Sequence, residues 1–413
     1  MNRTGCEDLV CTRRRLLAAA GFGMGALALD VAAPAMAFAQ GRPTGDLLVV
    51  VTLGGGADGM TLVPPLLDPG YLAARPTTGI RANQALALNR SFGLHPGLAP
   101  LMPYWKAHRL AVVHAVGDRD GSRSHFEATD SMERGINAGT SVRSGWLDRH
   151  LEVRGLTAMR FPALAVAPRL PASLVGLAPS IATTNIRDVR IHTAVPAQEK
   201  AAQRALTRMY AGLDGPIASA AQTTLSAVGR LAPLRTAAPT TTGYPSTELA
   251  TQLQQVALVS KADVGLEVAC VSLGGWDTHA GMGTATTGLM HDLVLGLGQA
   301  LAAFMADLGP RLATTTIVTL SEFGRRLAEN GSNGLDHGHG SSMLVMGGGI
   351  RGGKVYGRWP GLAASQLESG DLRVTTDYRD VLGELIVRRL GGGPLSRVFP
   401  DHKATMVGLA AQR

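Results

Sequence analysis

Short, continuously apolar runs recur along the chain, each bounded by Gly, Pro or polar residues and separated by stretches of helical periodicity. The runs are 47–53, 110–116, 163–167, 264–273, 316–320 and 343–346. A strand with one wet face alternates apolar and polar residues, whereas a strand covered on both faces does not. The runs therefore predict a mainly parallel sheet with both faces buried. Helices are predicted over 97–106, 125–136, 198–210, 247–261, 289–308 and 377–390. The last carries Val381, Leu382, Leu385, Ile386 and Leu390 as a single apolar stripe. Strands alternating with helices predict an α/β fold, a mainly parallel sheet covered by helices on both faces. Residues 223–245, rich in Ala, Thr, Pro and Ser, read as a flexible insertion within one domain spanning 45–413, because candidate site residues lie on both sides of it.

The first 39 residues read as an address rather than as fold. Thr12-Arg13-Arg14-Arg15-Leu16-Leu17 is a twin-arginine pattern, followed by an Ala/Gly/Leu run and small-x-small cleavage candidates at Ala35-Met36-Ala37 and Ala37-Phe38-Ala39. The expectation is a cleaved leader, passage through the twin-arginine translocase and a periplasmic or otherwise exported protein. The leader's apolar run is short for a bilayer, and no later stretch reads as a stable transmembrane span.

Cys6 and Cys11 lie in the leader, which leaves Cys270 alone in the mature chain. Thiolate zinc sites and Cys-x-x-Cys redox chemistry are thereby excluded, and Cys270, inside an apolar run, reads as core. The formal charge is +8, but beyond the leader the positives are mostly arginines scattered singly, no Lys/Arg run persists and aromatics are few. That pattern excludes a nucleic-acid binder and leaves a small anionic molecule or an envelope component as the expected partner.

The chemistry concentrates in four segments expected at one edge of the sheet, where open α/β folds bind ligands. Asp58 follows the first strand within Gly54-Gly55-Gly56-Ala57-Asp58-Gly59, a turn that would present a carboxylate to a metal or simply close itself. Asp277 and His279 share one side of an extended segment, as do His337 and His339 next to Asp336. Gly334, Gly338 and Gly340 would leave room for an ion. Glu322, after the run 316–320, would ligate a metal, accept a proton, or pair with Arg325 or Arg326. Oxygen and imidazole donors of this kind suit a divalent metal. In Arg123-Ser124-His125-Phe126-Glu127, Ser124 and Glu127 have capping-box spacing. A serine at a helix start is also placed for nucleophilic attack, with Arg123 as an oxyanion clamp and His125 as ligand or proton donor.

Taken together, these segments resemble an exported bacterial family catalogued as domain of unknown function 1501, of the alkaline phosphatase and sulfatase-like superfamily. The resemblance implies one or two divalent ions, with Zn, Mn, Mg and Ca not distinguished, flanking a Ser or Thr nucleophile. It matches Ser124 to that nucleophile, and Asp58, Asp277, His279, Glu322 and His339 or His337 to metal ligands. The chain departs from the pattern at Phe323, where a histidine would serve a second ion. Two functions follow as expectations: a metal-dependent hydrolase of phosphate or sulfate esters, or a non-catalytic periplasmic binding or assembly protein that keeps a structural metal.

Overall fold

The apolar run at the front of the domain becomes the interior of the sheet. In the computed structural model, which describes residues 46–119, 121–155 and 161–413, β1 (Leu47–Leu53) lies between two parallel neighbours. It pairs with residues 268–273 on one side and 315–320 on the other. The sheet continues with β2 (Leu110–Gly117), β3 (Ala163–Ala165), β4 (Ser180–Ala182), β5 (Val268–Leu273), β6 (Thr315–Leu320), β7 (Ser341–Gly347), β8 (Val355–Tyr356) and β9 (Thr376–Asp377). Their spatial order is β8-β2-β7-β6-β1-β5-β3-β4, with β9 beside β2. Only β7 runs against its neighbours; the other pairings in this sheet are parallel. The sheet is thus mixed and mostly parallel. The expected leader, residues 1–39, lies outside the described residues.

Alternate residues of β1 enter two different cores, which is what a sheet covered on both faces requires. Val49, Val51 and Leu53 pack with α5 (Glu248–Lys261) and α6 (Leu289–Leu308), preceded in the chain by α1 (His125–Arg134), α2 (Trp146–Val153), α3 (Glu199–Tyr210) and α4 (Pro216–Leu231). Leu48 and Val50 face α2 and α7 (Tyr378–Arg388). In α6, Val294, Leu297, Leu301 and Phe304 are fully buried, each burial stabilising by about 1.5–3 kcal/mol relative to exposure.

Three expectations are corrected. Residues 97–106 form a 3-10 turn, Pro96–Leu101, running into a short α-helix, Met102–Lys106. Prolines 96, 100 and 103 each lack the amide that an uninterrupted α-helix would use. The Ala/Thr-rich stretch is helical up to Leu231, because Leu225, Val228 and Leu231 recur at one-turn spacing and are buried. Finally, one segment, Leu289–Thr314, is long and apolar enough to cross a membrane by length and composition. Its apolarity is explained by the core into which α6 packs.

Candidate metal centre

Five segments meet at the edge of the sheet where the parallel strands end. The loop after β1 carries Gly55, the loop after β5 carries Asp277 and His279, and the loop after β6 carries Glu322, Phe323 and Arg325. The segment after β2 leads to His125, the first residue of α1. Asp336 and His337 precede their strand rather than follow it; they reach the same edge because β7 is antiparallel. Backbone pairing locks these loops together. Arg325 bridges to His337, Arg326 N donates to Asp336 O at 3.0 Å, and Leu335 N donates to Thr278 O at 2.9 Å. The glycines serve this contact rather than an ion. A Cβ on Gly338 would stand 2.2 Å from the Arg325 backbone, and one on Gly334 would stand 2.2 Å from that of His279. Gly55, at φ +114, brings its Cα side against Asp277 N.

Four donor atoms converge. Asp277 Oδ1 lies 3.0 Å from His279 Nε2, 3.1 Å from His337 Nε2 and 3.5 Å from His125 Nε2. His337 Nε2 is 3.0 Å from both His125 Nε2 and His279 Nε2. Each imidazole is held at its far nitrogen by an acceptor: His125 Nδ1 by Glu322 Oε1 at 2.7 Å, His279 Nδ1 by Asp336 Oδ1 at 2.9 Å, and His337 Nδ1 by the Arg123 carbonyl at 2.9 Å. A neutral imidazole has one N–H and one lone pair. With Nδ1–H committed outward on all three rings, three lone pairs and a carboxylate oxygen face one another. Such an arrangement requires protons or a cation at its centre. Nitrogens bound to one zinc-like ion at about 2.0–2.1 Å stand about 3.0–3.4 Å apart, which is the spacing of His337 Nε2 from each of the other two rings. The donor set therefore fits a metal. His125, Asp277 and His337 offer donor atoms that all lie within 4.8 Å of one another.

The surroundings agree. Arg325 is fully buried and donates to Asp277 Oδ1 at 2.7 Å, to Gly56 O at 2.7 Å and to Leu335 O at 2.9 Å. Burial acts to raise the Asp277 carboxyl, but the hydrogen bond and charge of Arg325, with the neighbouring imidazoles of His337 and His279, bring it down to about 2. Hydrogen bonding to His279 and Asn330 holds Asp336 below the usual carboxylate range. Asp277 is paired with Arg325, and the charge of Arg326 also acts on Asp336. Phe323 is buried against the rings of His125 and His337, with centroids at 4.7 and 4.9 Å. Phe323 thus walls the centre on that side.

Other predicted residues are placed elsewhere. Asp58 is not a ligand but a buried partner of Arg75, whose Nη2 donates to Asp58 Oδ1 at 3.1 Å, and it caps a short helix by accepting from Thr61 N at 2.9 Å. His339 faces away from the donors: its Nε2 meets Asp118 O at 2.7 Å and its Nδ1 meets Glu368 at 3.3 Å. Glu322 and Asp336 touch the imidazoles from behind rather than facing the centre. Glu322 is tied to Gly55 N at 2.8 Å, not to an arginine. Ser124 stands at the N-cap of α1 without a side-chain cap bond; Ser122 Oγ is the group that meets Glu127, at 2.7 Å. Arg123 is engaged by the buried Asp371. His95 caps the 96–101 turn by accepting from Gly97 N, and burial, with the charge of His291, pushes its imidazole down to about 4. The sequence marks His125 as ligand or proton donor and does not point to Arg325 or Asn330 as site residues. For Arg325 the signal was its distance of three from Glu322, which suggested the wrong carboxylate. Beside the donors opens a groove of about 500 Å³, lined among others by Gly54, Phe126, Thr129, Glu133 and Ala172.

No curated protein matches the chain. Solved structures with a similar course include Ps i-CgsB in complex with k-i-k-neocarrahexaose, at 9% identity and TM-score 0.40, over 88% of this chain and 75% of that one. A variant of the alkaline phosphatase PafA is similar at 10% identity and TM-score 0.33, over 69% and 64% of the two chains. A 2-O GAG sulfatase is similar at 8% identity and TM-score 0.35, over 74% and 65%. Likeness this distant says nothing of activity. The family described as protein of unknown function (DUF1501) matches residues 46–380, so the chain belongs to that family.

Proposed function

We propose that this protein is an exported, metal-dependent hydrolase of phosphate or sulfate esters, centred on His125, Asp277, His279 and His337. The observation that carries the metal-dependent part is the convergence of three imidazole Nε2 atoms on Asp277 Oδ1. The ester class comes from the resemblance of the motifs to alkaline phosphatases and sulfatases. A divalent ion bound there would supply Lewis-acid polarisation of an ester oxygen. The chain's own residues do the rest. Glu322, Asp336 and the Arg123 carbonyl orient the three rings, and the groove beside Phe126 and Thr129 seats the organic portion of the ester. Ser124, next in the chain to the donor His125 and at the N-terminus of α1, is the candidate nucleophile.

Hydrolysis of p-nitrophenyl phosphate and p-nitrophenyl sulfate, with Zn, Mn, Mg or Ca added in turn, tests this reading. Asp277→Ala is expected to abolish turnover and Ser124→Ala to reduce it strongly. Full activity in Asp277→Ala would remove the mechanism. A second reading, a non-catalytic binding or assembly protein with a structural ion, is favoured by the engagement of Arg123 with Asp371 and of Arg325 with Asp277. Neither guanidinium is then free to clamp an oxyanion. One tightly held, non-exchanging ion with no hydrolysis would favour that reading.

A further inference from the structure

We infer that the centre is a one-ion site selective for a borderline transition cation such as Zn²⁺ over Mg²⁺ and Ca²⁺, with Glu322 and Asp336 as its positioning residues. This deepens the metal part of the proposed function and does not depend on the ester chemistry. Hard cations need oxygen: Ca²⁺ takes about six to eight oxygen ligands, and Mg²⁺ demands octahedral oxygen. Here three of the four converging donors are imidazole nitrogens, which suit zinc and its neighbours. The one facing oxygen, Asp277 Oδ1, already shares its charge with Arg325 at 2.7 Å.

The two carboxylates that could have served a hard ion are turned to other work. Glu322 is 98% buried at its side chain, and its oxygens are taken by His125 Nδ1, Gly55 N and Ser321 Oγ at 2.7, 2.8 and 3.2 Å. Asp336 Oδ1 accepts from His279 Nδ1 at 2.9 Å and from Asn330 Nδ2 at 3.0 Å. Each therefore fixes a ring and keeps its proton on Nδ1, leaving Nε2 bare for the ion, as carboxylate–histidine pairs do around zinc. The number of ions follows from spacing. His125, Asp277 and His337 offer donor atoms all within 4.8 Å of one another, room for one ion, and His279 Nε2 adjoins two of the three at 3.0 Å, whereas a pair of ions about 3.5–4 Å apart needs a second separate donor set. The acid and imidazole that could have extended the set, Asp58 and His339, are committed to Arg75 and to Asp118 O.

Cobalt gives a readout independent of turnover. The protein, stripped with chelator, is titrated with Co²⁺ and followed by its visible absorption, then challenged with Zn²⁺, Mg²⁺ or Ca²⁺. The inference expects one Co²⁺ per chain, displacement by stoichiometric Zn²⁺ and none by millimolar Mg²⁺ or Ca²⁺. Glu322→Gln and Asp336→Asn should each keep that stoichiometry, alter the cobalt spectrum and weaken binding about 10–100-fold. Asp336 is half exposed, so Asp336→Asn is the variant whose result a folding defect would not explain. Two ions per chain, displacement by Mg²⁺ or Ca²⁺, or wild-type affinity in both variants would overturn the inference. Selective binding without ester hydrolysis would leave it standing and defeat only the hydrolase reading; hydrolysis supported by Ca²⁺ but not Co²⁺ would do the reverse.

Discussion

Replacing Asp58 with alanine asks whether this acid belongs to the fold or to the metal centre. The Arg75 side chain has no solvent exposure, and Asp58 has almost none. The guanidinium is held by both Asp58 oxygens and by the carbonyls of Leu327 at 2.7 Å and Arg326 at 2.8 Å. Removing the carboxylate leaves a buried cation with only neutral acceptors, which costs about 3–5 kcal/mol. Loss of the cap on Thr61 N adds about 1 kcal/mol. Asp58→Leu combined with Arg75→Met should recover most of that loss, since an apolar pair removes both desolvation penalties. The pH dependence has a definite sign. Burial acts to raise the Asp58 carboxyl, but the charge and hydrogen bonds of Arg75 hold it below its ordinary value. A depressed folded-state pKa means stability that is present above the unfolded value, about 3.9, and lost as pH falls through the folded one. Urea unfolding followed by circular dichroism, at neutral pH and below pH 4, measures both effects, and bound metal is counted in parallel. A variant Asp58→Ala with an unchanged midpoint and no bound ion would show that Asp58 is a ligand and that the reasoning fails.

Leu301→Ala, at a fully buried position of α6, should cost about 2–5 kcal/mol in the same urea assay without changing metal content. Cys270 should resist Ellman's reagent in the folded protein, because it is buried and burial pushes its thiol up. Fast labelling under native conditions would contradict that. Chelation should lower the melting temperature, and Zn²⁺ should restore it; at free ion about 100 times Kd, binding stabilises by about 2.7 kcal/mol. An unchanged melting temperature in fully stripped protein would mean the donors hold protons rather than an ion.

The strands and most helices are legible because burial on both faces leaves no polar residue to interrupt the runs, and α6 announces itself by length and period alike. The proline-broken 96–106 stretch and helical 216–231 were harder, since Ala and Thr belong equally to a helix face and a linker. In the site, Asp277, His279, Asp336 and His337 are legible from local pairing. Asp58 is not: a glycine turn after a strand looks the same whether its acid caps a helix or binds metal, and Arg75, 17 residues away, decides it. His339 shows the limit of the two-residue rule, which holds only while the segment stays extended. Gly338 pairs its amide with Gly324 O, and His339 turns to Asp118.

Which carboxylate ligates and which orients is the least local question of all. It is settled by which imidazole nitrogen carries the proton, and that depends on contacts such as His125 to Glu322, 197 residues apart. A sequence motif can supply acids and imidazoles at one edge of a sheet; only the far nitrogen's partner turns them into a donor set of one handed arrangement. Glu322 and Asp336 therefore fix the rings of His125 and His279 that would face an ion beside Asp277. Their substitution should weaken the hold on the ion about 10–100-fold while one ion per chain is still bound.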